Sequence, residues 1–180
     1  AAAILAFCSA EVSSQTIVST SPENKKVVLE EFTGIYCTYC PDGHKLAQQL
    51  KDANPEKVVL VNIHTGSYAN PTGSDPDFKT AWGSAIAGQS NLGGYPAGTV
   101  NRHQFSMTQN GGTAMSRGDW GTAAAQEFTI ASPVNVAATA TWDVGANEIV
   151  VYVEAYYTAN SNASTNKLNV AILENNVKGP

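Results

Sequence analysis

EEFTGIYCTYCPDGHKL, residues 30–46, sets two cysteines three positions apart, between a hydrophobic run that closes on two glutamates and a proline and histidine. Cys37 and Cys40 admit three readings: a redox couple, half of a metal site, or a structural staple. The neighbouring sequence narrows the choice. KVVLEEF (26–32) is a short apolar, β-branched run suited to a strand buried on both faces. PDGHKLAQQLKDANP (41–55) places Leu46, Ala47 and Leu50 at helical spacing before Asn54-Pro55 stops it. KVVLVNI (57–63) repeats the buried-strand pattern. Strand, helix and strand with short joints predict a βαβ unit with parallel, right-handedly linked strands.

In that frame Cys37 ends the loop after a buried strand, and Cys40 opens the helix. First-turn amides and the helix dipole stabilise negative charge there, so a thiolate at Cys37 is favoured. The thiolate is the nucleophile of disulfide exchange, and Cys40, one turn deeper, is placed to resolve the mixed disulfide that results. Such a dithiol needs neither metal nor cofactor. The alternatives remain open. Zinc could take Cys37, Cys40 and His44 with His64 or His103, although no second C-x-x-C exists and the histidine spacing fits no common finger. An inert disulfide would close too short a loop to restrict the unfolded chain much.

Glu31 lies six residues before Cys37 in an otherwise apolar strand. Buried there, a carboxylate would have a raised pKa and could take a proton from the resolving thiol, with Glu30 competing for the inward position. Tyr95-Pro96 stands between a glycine run and a strand over 97–102, which suggests a special turn, cis or trans. His44 reads as a solvated helix position one turn after Cys40.

Beyond the motif, HTGSYANPTGSDP (64–76) is a long turn-rich loop. A second helix is expected over 77–87, burying Phe78, Ala81, Trp82 and Ile86. Residues 103–107 and 113–116 are expected to pair as a hairpin around TQNGGT, and a third helix to run over 120–128 from a capping Asp119. From residue 131 the pattern changes to alternating runs, VNVAATATW (134–142) and EIVVYVEAYY (148–157), with KLNVAIL (167–173) as a third strand. Three strands leave edges and one face open, so this sandwich-like module reads as truncated, or as completed by residues 10–20. Trp82, Trp120 and Trp142 are all expected in the core. The expected organisation is an N-terminal segment at 1–22, an α/β domain at 23–130 and a β-rich module at 131–180.

A net charge of −5 and the lack of any Lys/Arg cluster argue against nucleic acid as a partner. Only 14% of residues are charged, a composition common in secreted and periplasmic proteins. The three cysteines cannot all pair, which leaves Cys8 over. AAAILAF (1–7) has the apolar character of an export-signal tail or of an ordinary strand or helix. Leu5-Ala6-Phe7-Cys8 loosely resembles a lipoprotein box, although Phe7 is bulky for the residue before a modified cysteine, and Cys8-Ser9-Ala10 reads instead as the end of an ordinary signal.

VVLEEFTGIYCTYC resembles the thioredoxin fold: a buried strand, an acid six positions before the first cysteine, an aromatic immediately before it, and C-x-x-C at the helix start. GYPAG resembles the cis-proline element that faces the disulfide in that superfamily. Together with GYPAGTVNR and LNVAILENNVKGP, the stretch is similar, over roughly residues 26–180, to the thioredoxin-like, outer-membrane-associated family known by its twenty-eight-kilodalton outer membrane protein. That resemblance implies an α/β thioredoxin-like domain followed by an antiparallel β module, in an envelope protein of the periplasm or outer membrane, with peripheral or lipid-anchored membrane association. It implies Cys37 as the attacking cysteine, Cys40 as the resolving one, Glu31 as the buried acid, and Pro96 as the cis-proline. Tyr36 and Tyr95 would meet the substrate, a protein or peptide thiol or disulfide, with the Tyr95 backbone pairing to an extended chain. Pro41 directly after the second cysteine, Tyr36 in place of the usual Trp, and the length of 64–76 depart from the typical thioredoxin pattern.

Overall fold

The computed structural model describes residues 16–178. The expectations for AAAILAF, Cys8 and residues 10–15 lie outside the described residues. The described residues divide into two units: 24–131 with 165–178, and 16–23 with 132–164.

The first unit is built on a mixed four-stranded sheet in the order β2-β1-β3-β4. β1 (Val27–Thr33) lies parallel to β2 (Val58–His64), and α1 (Cys40–Ala53) is the crossover between them. β3 (Ala97–Val100) runs antiparallel to β1, and the two-residue β4 (Met115–Ser116) pairs with β3. The expected hairpin between 103–107 and 113–116 is not formed. Met115 instead opposes Gly98, and Gln109 N–H closes the turn on Ala114 C=O at 2.8 Å.

Side-chain alternation along the central strand assigns the two faces. Val27, Leu29, Val58 and Val100 pack with Ala47 of α1 and with Trp120, Ala123 and Ala124 of α3 (Trp120–Glu127). Phe32, Ile63 and Ala97 pack with Ala87 of α2 (Ala81–Ser90) on the other face. Helices therefore cover both faces, so every residue of β1 except Val28 is buried, Glu30, Glu31 and Thr33 included.

α2 starts later than expected and turns differently. Thr80 caps it, its Oγ1 accepting from Gly83 N–H at 2.9 Å. A Cβ on Gly83 would come within 2.8 Å of Ile63 Cγ2, so the helix rests directly on β2 through Gly83 and Ala87. That close seat needs small residues, and it turns Trp82 outward, 80% exposed rather than buried. Asp119 gives α3 no side-chain cap, since a 3-10 turn over Arg117–Asp119 leads into the helix.

β3 stops at Val100 because Asn101 and Arg102 both take left-handed φ, 51° and 48°. Asn101 then reaches back: its Oδ1 accepts from Val28 N–H at 2.8 Å, and its Nδ2 donates to Lys26 C=O and to Glu127. Glu127 has no exposed surface. Burial alone would raise its pKa, but the hydrogen bonds from Asn101 and His103 and the charge of Lys25 outweigh that and hold it below the ordinary value.

In the second unit β5 (Val134–Asp143) and β6 (Glu148–Tyr157) form a separate antiparallel ribbon, closed by Asp143 Oδ1 accepting from Gly145 and Ala146 N–H. Val136 and Trp142 are exposed, so the alternating face of β5 is not a core and the expected burial of Trp142 is not found. The third strand expected over 167–173 is also absent. Those residues carry no ladder, and without a pairing edge Leu168, Val170 and Ile172 stay exposed.

Candidate functional site

The cysteine loop is clamped by main chain. Gly34 lies so close to the turn Ser67–Ala69 that a Cβ there would clash with the Tyr68 carbonyl, and Tyr36 N–H donates to Tyr68 C=O. The loop 64–76 thus supports the motif, a role its turn-rich composition did not announce. Cys37 N–H turns back to Gly34 C=O, and Cys40 N–H to Cys37 C=O. Cys37 and Cys40 are joined by a disulfide with Cα atoms 5.4 Å apart. Cys40 is the first residue of α1 and Pro41 takes the next place, where its missing N–H costs nothing.

Cys40, Gly43 and Ala47 are the buried residues of α1 and share its inward face. Under that face lies Glu31, 1% exposed. A Cβ on Gly43 would fall 2.6 Å from Glu31 Oε1 and 3.0 Å from Pro96 Cβ. Glycine here lets the buried carboxylate and the proline ring approach one another one turn below the disulfide. The Tyr95–Pro96 bond is cis.

The carboxylate is asymmetrically partnered. Oε2 accepts from His44 Nδ1 at 2.9 Å, and His44 Nε2 lies 3.3 Å from Thr33 Oγ1. Oε1 is buried with no hydrogen-bond partner among the described residues. The hydrogen bond to Glu31 raises the His44 pKa, against a smaller opposing effect of burial. His44 is therefore an ion-pair partner rather than a simply solvated position, a role readable in retrospect from its place four residues after Cys40 on the same helix flank. Glu30 does not compete with Glu31. It points to the opposite face, where the Arg102 guanidinium holds it with two hydrogen bonds, Nε to Oε2 at 2.7 Å.

Tyr36 is exposed and its hydroxyl donates to Asp75. Tyr95 turns its ring edge-on to Tyr68, 5.7 Å between centroids, and its hydroxyl reaches Thr65; burial raises its pKa, the Thr65 hydrogen bond opposing. Tyr95, with Gly93, Gly94 and Pro96, lines an open cavity of about 310 Å³ that Gln109, Asn110, Ser116 and Arg117 also border. Arg117 is paired with Asp42 in the first turn of α1. His64 lies at the end of β2 against Phe78, its pKa lowered by burial and by the charge of His44. His103 sits with Glu127, away from the cysteines. Among the described residues no three His, Cys, Asp or Glu side chains converge as a metal centre would require.

Fold and site together define an α/β unit that carries a C-x-x-C disulfide at a helix opening, over a buried glutamate and beside a cis-proline. No family model matches the chain, and no curated protein matches it. Among solved structures it is similar to HBP35 of Porphyromonas gingivalis, at 19% identity and a TM-score of 0.48, covering 66% of this chain and 38% of that one. The chain thus spans less than half the length of that protein.

Proposed function

We propose that the α/β unit is a thioredoxin-like domain that exchanges disulfides with extracytoplasmic protein substrates, in an envelope protein akin to the outer-membrane-associated family named above. The observation that carries this reading is the meeting of Glu31 Oε1 and Pro96 at Gly43, one turn from Cys40 on the same helix face. A staple would need neither a buried acid nor an open path beside the proline. In the reduced protein the Cys37 thiolate attacks a substrate disulfide, forming a Cys37–substrate bond and releasing one substrate thiolate. Glu31 accepts the Cys40 proton, and the Cys40 thiolate attacks Cys37 Sγ. The protein disulfide re-forms and the second substrate thiolate leaves. An extended substrate would lie along Tyr95-Pro96 and the adjoining cavity, with Tyr36 at its rim. Residence in the periplasm or outer membrane is part of the same proposal. No helix among the described residues is long and apolar enough to cross a membrane. The lipid-anchor variant rests on Cys8.

The test is a redox titration of the pair with mass spectrometry of the trapped thiol. Cys37 should alkylate selectively near neutral pH, Cys40→Ser should accumulate a mixed disulfide at Cys37, and Cys37→Ser should abolish exchange. A second reading, a stable disulfide in a non-catalytic binding or structural envelope protein, draws support from the burial of both cysteines, 7% and 1% exposed. A reduction potential below about −300 mV decides for it.

A further inference from the structure

The pairing of His44 with Glu31 is more than charge compensation for a buried acid. A carboxylate has two oxygens, and the fold treats them differently. Oε2 is taken by His44 Nδ1, whereas Oε1 lies against Gly43 with no hydrogen-bond partner among the described residues. The imidazole itself is fixed by a second contact, Nε2 to Thr33 Oγ1 at 3.3 Å, so it cannot swing to the other oxygen without leaving β1. His44 is also the member of the set that meets water, with 40% of its side chain exposed against 1% for Glu31. A solvent-facing base thus holds the outer oxygen of a buried acid, and the inner oxygen stays free under the helix face that bears Cys40.

We propose that His44 is a positioning residue for disulfide exchange: it fixes Glu31 through Oε2, presents Oε1 to the Cys40 thiol as proton acceptor, and makes that transfer sensitive to the pH of the surrounding water. The inference rests on the exchange reading above and deepens it. With His44 cationic, a positive charge stands 2.9 Å from Glu31 Oε2. When His44 loses its proton, Nδ1–H still donates and the orientation persists, so the charge beside the proton-transfer path changes while its geometry does not. The step balances: the Cys40 proton goes to Glu31, the new bond is Cys40 Sγ–Cys37 Sγ, and the bond broken is Cys37 Sγ to the substrate sulfur, which leaves as a thiolate.

Few other groups face this pair. β1 contributes Glu31 and Thr33. The end of β2 contributes His64, which titrates below its ordinary value through burial and the His44 charge. Across Gly43 stands Pro96, with the Tyr95 hydroxyl turned away to Thr65. On α1 itself Asp42 is engaged by Arg117 and Lys45 is exposed. Glu30 and Arg102 lie on the other face of the sheet. The two histidines are therefore the groups near the site that change charge around neutral pH.

The experiment separates the two chemical steps. Reduced protein is mixed with oxidised glutathione and quenched in acid over a pH series, and the Cys37–glutathione adduct and the intramolecular disulfide are counted by mass spectrometry. Adduct formation tests the exchange reading; adduct resolution tests His44. His44→Ala should leave formation within about twofold and slow resolution tenfold or more at pH 7, since positioned acid–base help is worth roughly a hundredfold or more. His44→Asn, which keeps an N–H near the Nδ1 position, should recover most of the rate while losing the inflection that His44 gives the profile. In the unaltered protein that inflection should coincide with the His44 titration followed by nitrogen NMR, a readout that needs no variant. Resolution in the unaltered protein that ignores the His44 titration, or variants that match it in rate and profile, overturns the proposal while leaving exchange intact. Absence of both the intramolecular disulfide in the unaltered protein and the Cys37 adduct in Cys40→Ser overturns both.

Discussion

Gly43→Ala sets two known effects against each other, and the structure decides which prevails. Alanine in a helix interior is favoured over glycine by about 1 kcal/mol. Against this, the new methyl would lie 2.6 Å from Glu31 Oε1 and 3.0 and 3.1 Å from Pro96 Cβ and Cγ. Neither neighbour yields easily, for Glu31 is buried and tied to His44 and the proline ring is rigid. Overpacking of a closed site costs about 1–3 kcal/mol, and with two obstacles the upper part of that range applies. The expected net is a loss of roughly 1–2 kcal/mol. Urea unfolding of the oxidised protein should show a lower midpoint with an unchanged slope. Combining the change with Glu31→Ala removes the nearer obstacle, so the two losses should fall short of additivity by about 1 kcal/mol. A Gly43→Ala protein that is more stable than its parent by the helix-propensity amount would refute the close approach of Glu31, Gly43 and Pro96.

Glu127 has a depressed folded pKa, so its contribution is present above the ordinary carboxylate range and is lost as pH falls through the folded value. Glu127→Gln should cost roughly 2 kcal/mol at neutral pH and flatten the acid limb of a stability–pH curve below about pH 4.3. Asn101→Ala gives up three hydrogen bonds and strains a left-handed residue, so it should be less stable than Asn101→Gly by about 1 kcal/mol in denaturant titrations. Trp120→Ala should cost about 3–5 kcal/mol while Trp82→Ala stays within roughly 0.5, in thermal or chemical unfolding.

The motif and its flanking strands were legible because each is a local pattern. KVVLEEF, KVVLVNI and the helix between them needed only periodicity and punctuation, and they begin and end within a residue or two of expectation. Glu30 against Glu31 was not decidable, because both are buried and each is sustained by a partner from elsewhere, Arg102 in one case and His44 in the other. Trp82 was misplaced because hydrophobicity says what a side chain prefers, whereas the close seat of Gly83 on Ile63 sets which way α2 turns. The support that Tyr68 gives Gly34 is main chain on main chain and leaves no trace in residue type beyond the glycine itself. KLNVAIL shows the converse: its pattern promises a strand, yet a strand exists only where a neighbour offers an edge.

The two ends of the segment Asn24–Ala131 of the α/β unit lie side by side. Asn24 and Ala131 form an antiparallel bridge, and Lys25 N–H meets Ile130 C=O at 2.8 Å. Residues just upstream find their partners far downstream: Ser132 N–H on Glu23 C=O, Asn135 on Ser19 and Ser21, Glu154 on Ile17 and Val18 N–H. The segment Asn24–Ala131 of the cysteine-bearing unit thus interrupts the chain of the other unit, between Glu23 and Ser132. During synthesis its core segment, Asn24–Ala131, is complete before Glu154 emerges, while residues 16–23 wait unpartnered. Its adjoining ends also make it a natural subject for circular permutation, with new termini in the exposed turn at 72–74.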